Sequence, residues 1–452
     1  MGVVPTDDEL IATVRSVRSQ NPALGIQKLL AAVLTAEPTW SVSDKRLKKV
    51  LQKLKGDEFP TSSLNAALDV GKYSDKVRPV VFGPEKGKGL VAAQDIRAGE
   101  VLWREDPFVY APPWEIYDAQ LIGTACAYCA RAFTPSTPPL RVQCPHSTSS
   151  SSKAACQATF CSRLCLSRSG STHTLLCPVA NPSCDHLLAF LKERKWKAAL
   201  AFTKCVVRIL DAHQGSKGGK DEEGYMDKDA ILTTYNSFAT LRSDKRWTHT
   251  SENDLARSAN EKLFAAIQTG LVQAFYIPPP DDSSLSPSLE SKLKEIPLVP
   301  RSPVREKSLK KILKTPIPPE ISASLFSKDG VLEGLGKMSL NLESHGGLFP
   351  LHSHLNHSCT PNLSVRHIPG DIHGPNPSRI TLIATSEIKM GEEVVISYVD
   401  PNQNVKERRR KLREWDFGIC RCERCTREEK EVVEETGGKG DMEDEIRGFL
   451  GV

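Results

Sequence analysis

The cysteines of this chain, thirteen in 452 residues, are grouped rather than scattered, and the grouping limits what the chain can fold into. Residues 126–177 carry Cys126-x-x-Cys129, Cys144, Cys156, Cys161-x-x-x-Cys165 and His173-x-x-x-Cys177. Tetrahedral zinc takes four thiolate or imidazole ligands, so seven cysteines and one histidine close two sites and leave no position for a substrate. Packing explains such paired spacing poorly. Cys144 and Cys156 are separated by a serine-rich insert where a tight pair is expected, so His146 is an alternative ligand to one of them. Cys420-x-Cys422-x-x-Cys425 is one ligand short of a third closed site, and Cys359 is the candidate for the fourth position. Cys184 and Cys205 fall on apolar positions of a helical stretch and read as core residues.

The N-terminus, MGVVPTDDEL, lacks the basic-then-apolar pattern of a secretory signal. Its Met1-Gly2 and Thr6 match a myristoylation pattern only by chance, since Asp7, Asp8 and Glu9 would repel anionic lipid. A reducing compartment is therefore expected, which favours metal over disulfides. No apolar run reaches the ~20 residues that span a bilayer. The net charge of +5 suits a nuclear protein but does not demonstrate nucleic-acid binding.

Periodicity divides the chain further. Residues 6–57 predict three short helices, the last one basic, arranged as in a helix-turn-helix; packing or partner binding is the plainer use, DNA or nucleosome docking the sharper one. VRPVVFG, KGLVAAQ and EVLWREDPFVYAP within 76–112 predict strands, as do RITLIATS (379–386) and EVVISYV (393–399). Helices are expected over 184–213, 228–243 and 253–274. Residues 278–319, rich in Pro, Ser and Lys, predict a disordered insertion. The tail after Cys425 is acidic and expected to be mobile. The basic runs KRLKK (45–49) and RRRK (408–411) suit nuclear import or acidic surfaces, with solvated charge as the commoner explanation.

Four short motifs then appear in order: GKG at 87–89, NHSCTPN at 356–362, GEEVVISY at 391–398 and the Cys420–Cys425 triad. Together they resemble the SET-domain protein lysine methyltransferases. The finger-like cluster, including CSRLC at 161–165, is similar to the MYND zinc finger and interrupts the SET region as in the SET-and-MYND family. YNSFATLRSD (235–244) and HSHLNHSC (352–359) look closest to the fungal Set five branch.

The resemblance implies an α+β fold: a SET domain of small β-sheets split by the finger and a helical insert, with a post-SET zinc site and an N-terminal helical unit. The implied divisions are 1–65 for the helical unit, 76–125 for the first SET part, 126–177 for the finger and 178–275 for the helical insert. They continue with 276–330 for the disordered insertion, 331–405 for the catalytic core, 406–425 for the post-SET site and 426–452 for the tail. In the family the finger sites interleave, so Cys126, Cys129, Cys161 and Cys165 would hold one zinc, and Cys144, Cys156, His173 and Cys177 the other. A third zinc would sit on Cys359, Cys420, Cys422 and Cys425.

Methyl transfer from a sulfonium to an amine is an in-line displacement needing alignment, exclusion of water and an unprotonated amine; orientation alone supplies roughly 7–11 kcal/mol. Lysine is mostly protonated in water, with a pKa of about 10.4, and an apolar channel beside a cation lowers it. A strong general base is not required. The resemblance makes Tyr398 the catalytic residue and S-adenosylmethionine the methyl donor. Lys86, Gly87, Lys88, Gly89, Asn356, His357 and the stacking aromatic Phe417 would bind that donor. A Gly-x-Gly alone fits a plain turn equally well. His352, His354 and His357 lack neighbouring carboxylates and are not expected to form a metal site; His352 and His354 are expected to be structural.

The implied function is methylation of a protein lysine, with histone tails, the fourth core histone above all, as substrate. Methylation of non-histone proteins is one alternative; a catalytically inactive MYND-type adaptor is the other. A histone or nucleosome is the implied partner, together with a peptide at the finger; DNA contact is left open and no membrane is involved. Nuclear or chromatin location is expected, with a cytoplasmic pool.

Overall fold

The computed structural model describes residues 4–5, 10, 13–14, 17, 26–56, 63–82, 86–134, 141–147, 156–215, 228–247, 254–279, 285–367, 378–413, 420 and 422–435. The N-terminal unit has α1 (Ile26–Ala36) and α2 (Asp44–Gly56). Leu10, Val14 and Val17 repeat at helical spacing and join Leu29, Val33, Leu47 and Val50 in a small core of their own.

Short strands follow: β1 (Val77–Val81), β2 (Lys88–Ala92), β3 (Val101–Glu105) and β4 (Val109–Tyr110). They are rich in Val and aromatics and punctuated by Gly and Pro, which limits each to a few residues. After α3 (Trp114–Leu121) the cysteine-rich region contributes β5 (Val142–Gln143), β6 (Thr159–Phe160) and α4 (Arg163–Leu176). Helices then dominate: α5 (Asp185–Glu193), α6 (Lys197–His213), α7 (Lys228–Ser237), α8 (Ser243–Trp247) and α9 (Asp254–Phe275). The single helix expected over 184–213 is interrupted at Lys195, whose φ of 47° is left-handed.

The disordered insertion expected over 276–330 is corrected by the structure. That stretch carries α10 (Pro287–Lys294), α11 (Pro303–Ile312) and α12 (Pro319–Phe326), and α13 (Lys328–Asn341) begins within it. Its prolines and serines start helices. Ser286 and Ser302 are N-caps, accepting from Leu289 N at 3.3 Å and Arg305 N at 3.4 Å, and each is followed by a proline. Leu309, Leu313, Ile317, Ile321, Leu325 and Phe326 are buried in the same core as Phe202 and Leu210 of α6. Arg301 clamps the end of α9, donating to Tyr276 O at 2.7 Å and Gln273 O at 2.5 Å. Mean polarity hid this because the apolar positions are sparse, although most of them, Leu298 and Val304 apart, face inward.

The remaining elements are β7 (Gly347–Leu348), β8 (Asn356–His357), β9 (Leu363–Arg366), β10 (Ile380–Ala384), β11 (Val395–Ile396), α14 (Val405–Arg413) and α15 (Glu423–Glu435). Of EVVISYV only Val395–Ile396 is strand. β1 and β2 form an antiparallel pair, β3, β10 and β9 a three-stranded sheet in that order, and β4 pairs with β7. β8 and β11 run parallel, with Asn356 opposite Val395 and His357 opposite Ile396. A second core, including Leu90, Leu102, Trp103, Leu355, Leu382 and Ile396, lies between these small sheets. The mixed architecture of small sheets and a helical insert agrees with the expected α+β class.

Candidate active site

Three sequence segments meet beside the parallel β8–β11 pair. β2 reaches it through backbone bonds, Val394 N donating to Leu90 O at 3.0 Å and Ala92 N to Glu392 O at 2.8 Å. Asn356 then stitches all three together. Its Nδ2 donates to Lys88 O and to Glu393 Oε1, both at 2.9 Å. Asn362 repeats the device, donating to Glu393 O at 2.9 Å and accepting from Val395 N at 2.8 Å. Glu393, missed in the sequence reading although it lies within GEEVVISY, also pairs with Lys86.

The two glycines have separate physical reasons. Gly87 has φ of 68°, and Phe82 N closes the turn on Gly87 O at 2.8 Å. Gly89 is a close approach: a Cβ there would come within 2.4 Å of the Phe82 ring and 2.8 Å of Asn356 Nδ2. Lys86 lies over the face of Phe82, 4.6 Å from its centroid. Lys88 points elsewhere. Its ammonium is buried and donates to Ser237 O at 2.8 Å, at the end of α7. Burial, then the charge of Lys337, brings it down to about 7.

Tyr398 and His357 sit side by side, ring centroids 5.4 Å apart. Tyr398 N donates to His357 Nδ1 at 3.1 Å, and the Tyr398 hydroxyl donates to Leu355 O at 2.7 Å. Because His357 Nδ1 accepts, its proton is on Nε2, which faces Cys359 Sγ at 3.3 Å. Burial, then the charge of Glu393, raises the Tyr398 phenol above its ordinary value, so the hydroxyl stays protonated at neutral pH.

The turn leading into Asn356 is held by Glu105, which the sequence reading did not single out. Its buried carboxyl accepts from Leu351 N at 2.6 Å, His352 N at 3.0 Å and Trp103 Nε1 at 3.2 Å. Burial raises it to about 7 against the pull of these donors. His354, in the same turn, donates from Nδ1 to Pro350 O at 2.9 Å and receives Asn65 N on Nε2 at 3.4 Å. The His354 ring and the His352 backbone thus belong to the fold of the turn. Phe417 lies outside the described residues.

Three cysteine-rich groups among the described residues have ligand atoms within 4.8 Å of one another: Cys126, Cys129, Cys161 and Cys165; Cys144, Cys156, His173 and Cys177; and Cys359, Cys420, Cys422 and Cys425. A zinc tetrahedron with bonds of about 2.3 Å has sulfur–sulfur edges of about 3.8 Å. Cys129–Cys161 is 3.8 Å, Cys144–Cys177 is 3.9 Å and Cys359–Cys420 is 3.9 Å. The donor chemistry and size of each group fit zinc. His146 is not in the second group; only its backbone N–H reaches it, donating to Cys144 Sγ at 3.3 Å. α4 serves the first two groups at once. Ser162 caps it by accepting from Cys165 N at 3.1 Å, and a kink at Gly170 (φ 47°) separates Cys165 from His173.

The third group is braced by Arg424 and by Arg408 and Arg409, two residues of the basic run 408–411 for which solvated charge was the commoner expectation. Arg408 is fully buried, donates to Cys425 Sγ at 3.4 Å and pairs with Glu428 at 2.7 Å. Arg409 makes a two-pronged pair with Glu429 at 2.9 Å, and Arg424 donates to Cys359 O at 2.9 Å. Their partners lie on α15 and in the β8 turn, beyond the range of local charge patterning. Among the described residues no helix is long and apolar enough to cross a membrane.

Residues 87–399 match the model of the family described as SET domain. Curated proteins are similar over most of the chain. The histone-lysine N-methyltransferase SET5 of Mycosarcoma maydis is 29% identical over 361 residues, covering 77% of this chain and 67% of that protein. The protein of the same name from Yarrowia lipolytica is 26% identical over 449 residues, covering 96% of this chain and 85% of that protein. The Candida albicans one is 26% identical over 453 residues, covering 94% and 81%.

Proposed function

The chain belongs to the SET domain family and is an S-adenosylmethionine-dependent protein-lysine methyltransferase, and from that premise we propose that it methylates a histone lysine in chromatin. Support for the substrate comes from similarity to histone-lysine methyltransferases along nearly the whole chain. The observation that carries the catalytic reading is the junction at Asn356, where the GKG, NHSC and GEEVVISY segments share hydrogen bonds.

When bound, S-adenosylmethionine supplies an activated methyl group. Gly87 and Gly89 let the chain pass close to it, and Asn356 and His357 hold it from β8. Lys88 contributes its backbone, since its ammonium is engaged by Ser237. Lys86 is the basic side chain on this face, and Phe417 is the aromatic proposed to stack on adenine. Tyr398 is the residue that orients the substrate amine: its oxygen accepts an amine N–H and turns the nitrogen lone pair toward the methyl. Apolar walls disfavour the ammonium and leave the amine neutral.

Zinc in the third group would fix Cys359 and the segment 420–425 beside Tyr398, with His357 as the link. Zinc in the first two groups would make 126–177 a closed MYND-type finger, suited to holding a peptide partner rather than to chemistry. The remaining divisions, 1–65, 76–125, 178–275, 331–405, 406–425 and 426–452, are kept with this reading, as is a nuclear location. The test is transfer of labelled methyl to purified histones and to nucleosomes. Label in histones, lost with Tyr398→Phe, is expected. Label in other cell proteins but never in histones would contradict the substrate, and no label with no binding of the donor would contradict the enzyme.

A further inference from the structure

A cluster of metal-ligating side chains remains outside all of this. Glu343 and His345 occupy the turn after α13, and His367 follows β9, the edge strand of the three-stranded sheet. The ligand atoms of the three residues lie within 4.8 Å of one another. Glu343 Oε2 is 3.3 Å from His345 Nδ1 and 3.5 Å from His367 Nε2. A tetrahedral ion with nitrogen and oxygen ligands at about 2.0 Å has edges of about 3.3 Å, so these separations fit.

The turn is held in place by the fold. Glu343 N donates to Gly347 O at 2.9 Å and Gly346 N to Glu343 O at 2.8 Å. Gly346 has φ of 100°, and a Cβ there would strike Ala111 O at 1.7 Å. The rings of His345 and His367 overlap, centroids 3.8 Å apart and 33° from parallel.

An independent observation points to a ligand. Nε2 of His367 is buried and makes no hydrogen bond among the described residues, although Glu343 Oε2 faces it at 3.5 Å. An ion held between the two would satisfy both. His345 is 55% exposed, which leaves an opening for water to complete the coordination, while Glu343 is only 15% exposed.

We propose that Glu343, His345 and His367 bind a divalent transition-metal ion of the zinc class, in a site separate from the three cysteine groups. Two imidazoles and one carboxylate exclude the all-oxygen shell of magnesium and leave open positions, unlike the closed thiolate groups. The ion ties the end of α13 to the end of β9, clasping the helical insert to the edge of the catalytic sheet.

The test is zinc content of the full-length chain after equilibrium dialysis against zinc, with magnesium as the comparison ion. His345→Ala, at an exposed position, should fold normally and lose one zinc equivalent. Glu343→Gln should lose the same equivalent, and His186→Ala, at another exposed histidine, should lose none. Cys359→Ser should lose a different equivalent, additive with His345→Ala. X-ray absorption of the difference should show nitrogen and oxygen neighbours without sulfur. Equal zinc in the native chain and His345→Ala would overturn the proposal, as would an equal loss in His186→Ala or a site that magnesium fills.

Discussion

Tyr398 is held at both ends, by its backbone N–H to His357 and its hydroxyl to Leu355 O. Removing the oxygen leaves the ring and the backbone link, so Tyr398→Phe should fold, keep its metal and lose about 10²-fold in turnover, the cost of a misoriented reactant. Steady-state kinetics on a histone peptide checks this. Asn356→Ala strips the amide that joins Lys88 O to Glu393, and leaving such partners unsatisfied costs about 1–3 kcal/mol. The expected outcome is a raised KM for the methyl donor with unchanged zinc content. His354 gives a pH signature. Burial, then the charge of Lys88, lowers it to about 3 from 6.5, so it is neutral in the folded chain and takes up a proton on unfolding between those values. Its contribution is present above pH 6.5 and is lost as pH falls toward 3; from pH 7 to pH 5 the loss is about 2 kcal/mol. Glu105, raised to about 7, contributes oppositely in that range. The measurement is therefore the stability difference between the native chain and His354→Gln at the two pH values. Tyr398, Asn356 and the cysteines were visible as motifs. Glu105 was not, and Lys88 was expected at the methyl donor rather than buried against Ser237, because a buried charge is recognised by partners far away in sequence, such as Leu351 and Ser237.

At the scale of elements, the strands around 76–112 and the helices around 184–275 followed from periodicity and β-propensity. The stretch 285–326 did not, because its average polarity outweighed a few inward-facing positions. Leu309 decides between the two descriptions. It is fully buried, so Leu309→Ala should cost about 2–5 kcal/mol of stability, whereas a disordered loop would lose nothing. Chemical denaturation measures it. α13 offers a second check. Gly334 faces Phe202, and at Gly336 a Cβ would lie 1.8 Å from Leu241 O. Backbone cannot yield as a side chain can, so Gly336→Ala should destabilise by about 1–3 kcal/mol despite its better helix propensity. Nothing local marks these glycines; the close approaches arise only when α13 meets α6 at Phe202 and the 235–244 stretch at Leu241.

Across the molecule, the third cysteine group and the junction at Asn356 are one construction. Cys359 belongs to the third group, and the histidine two residues earlier touches both Cys359 and the Tyr398 backbone. Cys359→Ser should therefore cost zinc and activity together, unlike Asn356→Ala, and chelation of that zinc should inactivate the chain because metal binding there is folding energy. Thiolate spacing marked the cysteine-rich regions as metal-binding because it is local chemistry, while the division of the finger ligands between two sites came from the resemblance to the MYND finger. Arg408 and Arg409 could not be read in this way, since their pairing with α15 depends on two helices meeting. The most direct measurement is mass spectrometry of histones incubated with the purified chain and S-adenosylmethionine carrying a deuterated methyl group. The expected result is a deuterated methyl on a histone lysine, absent with Tyr398→Phe; histones that stay unlabelled while the chain binds the donor would contradict it.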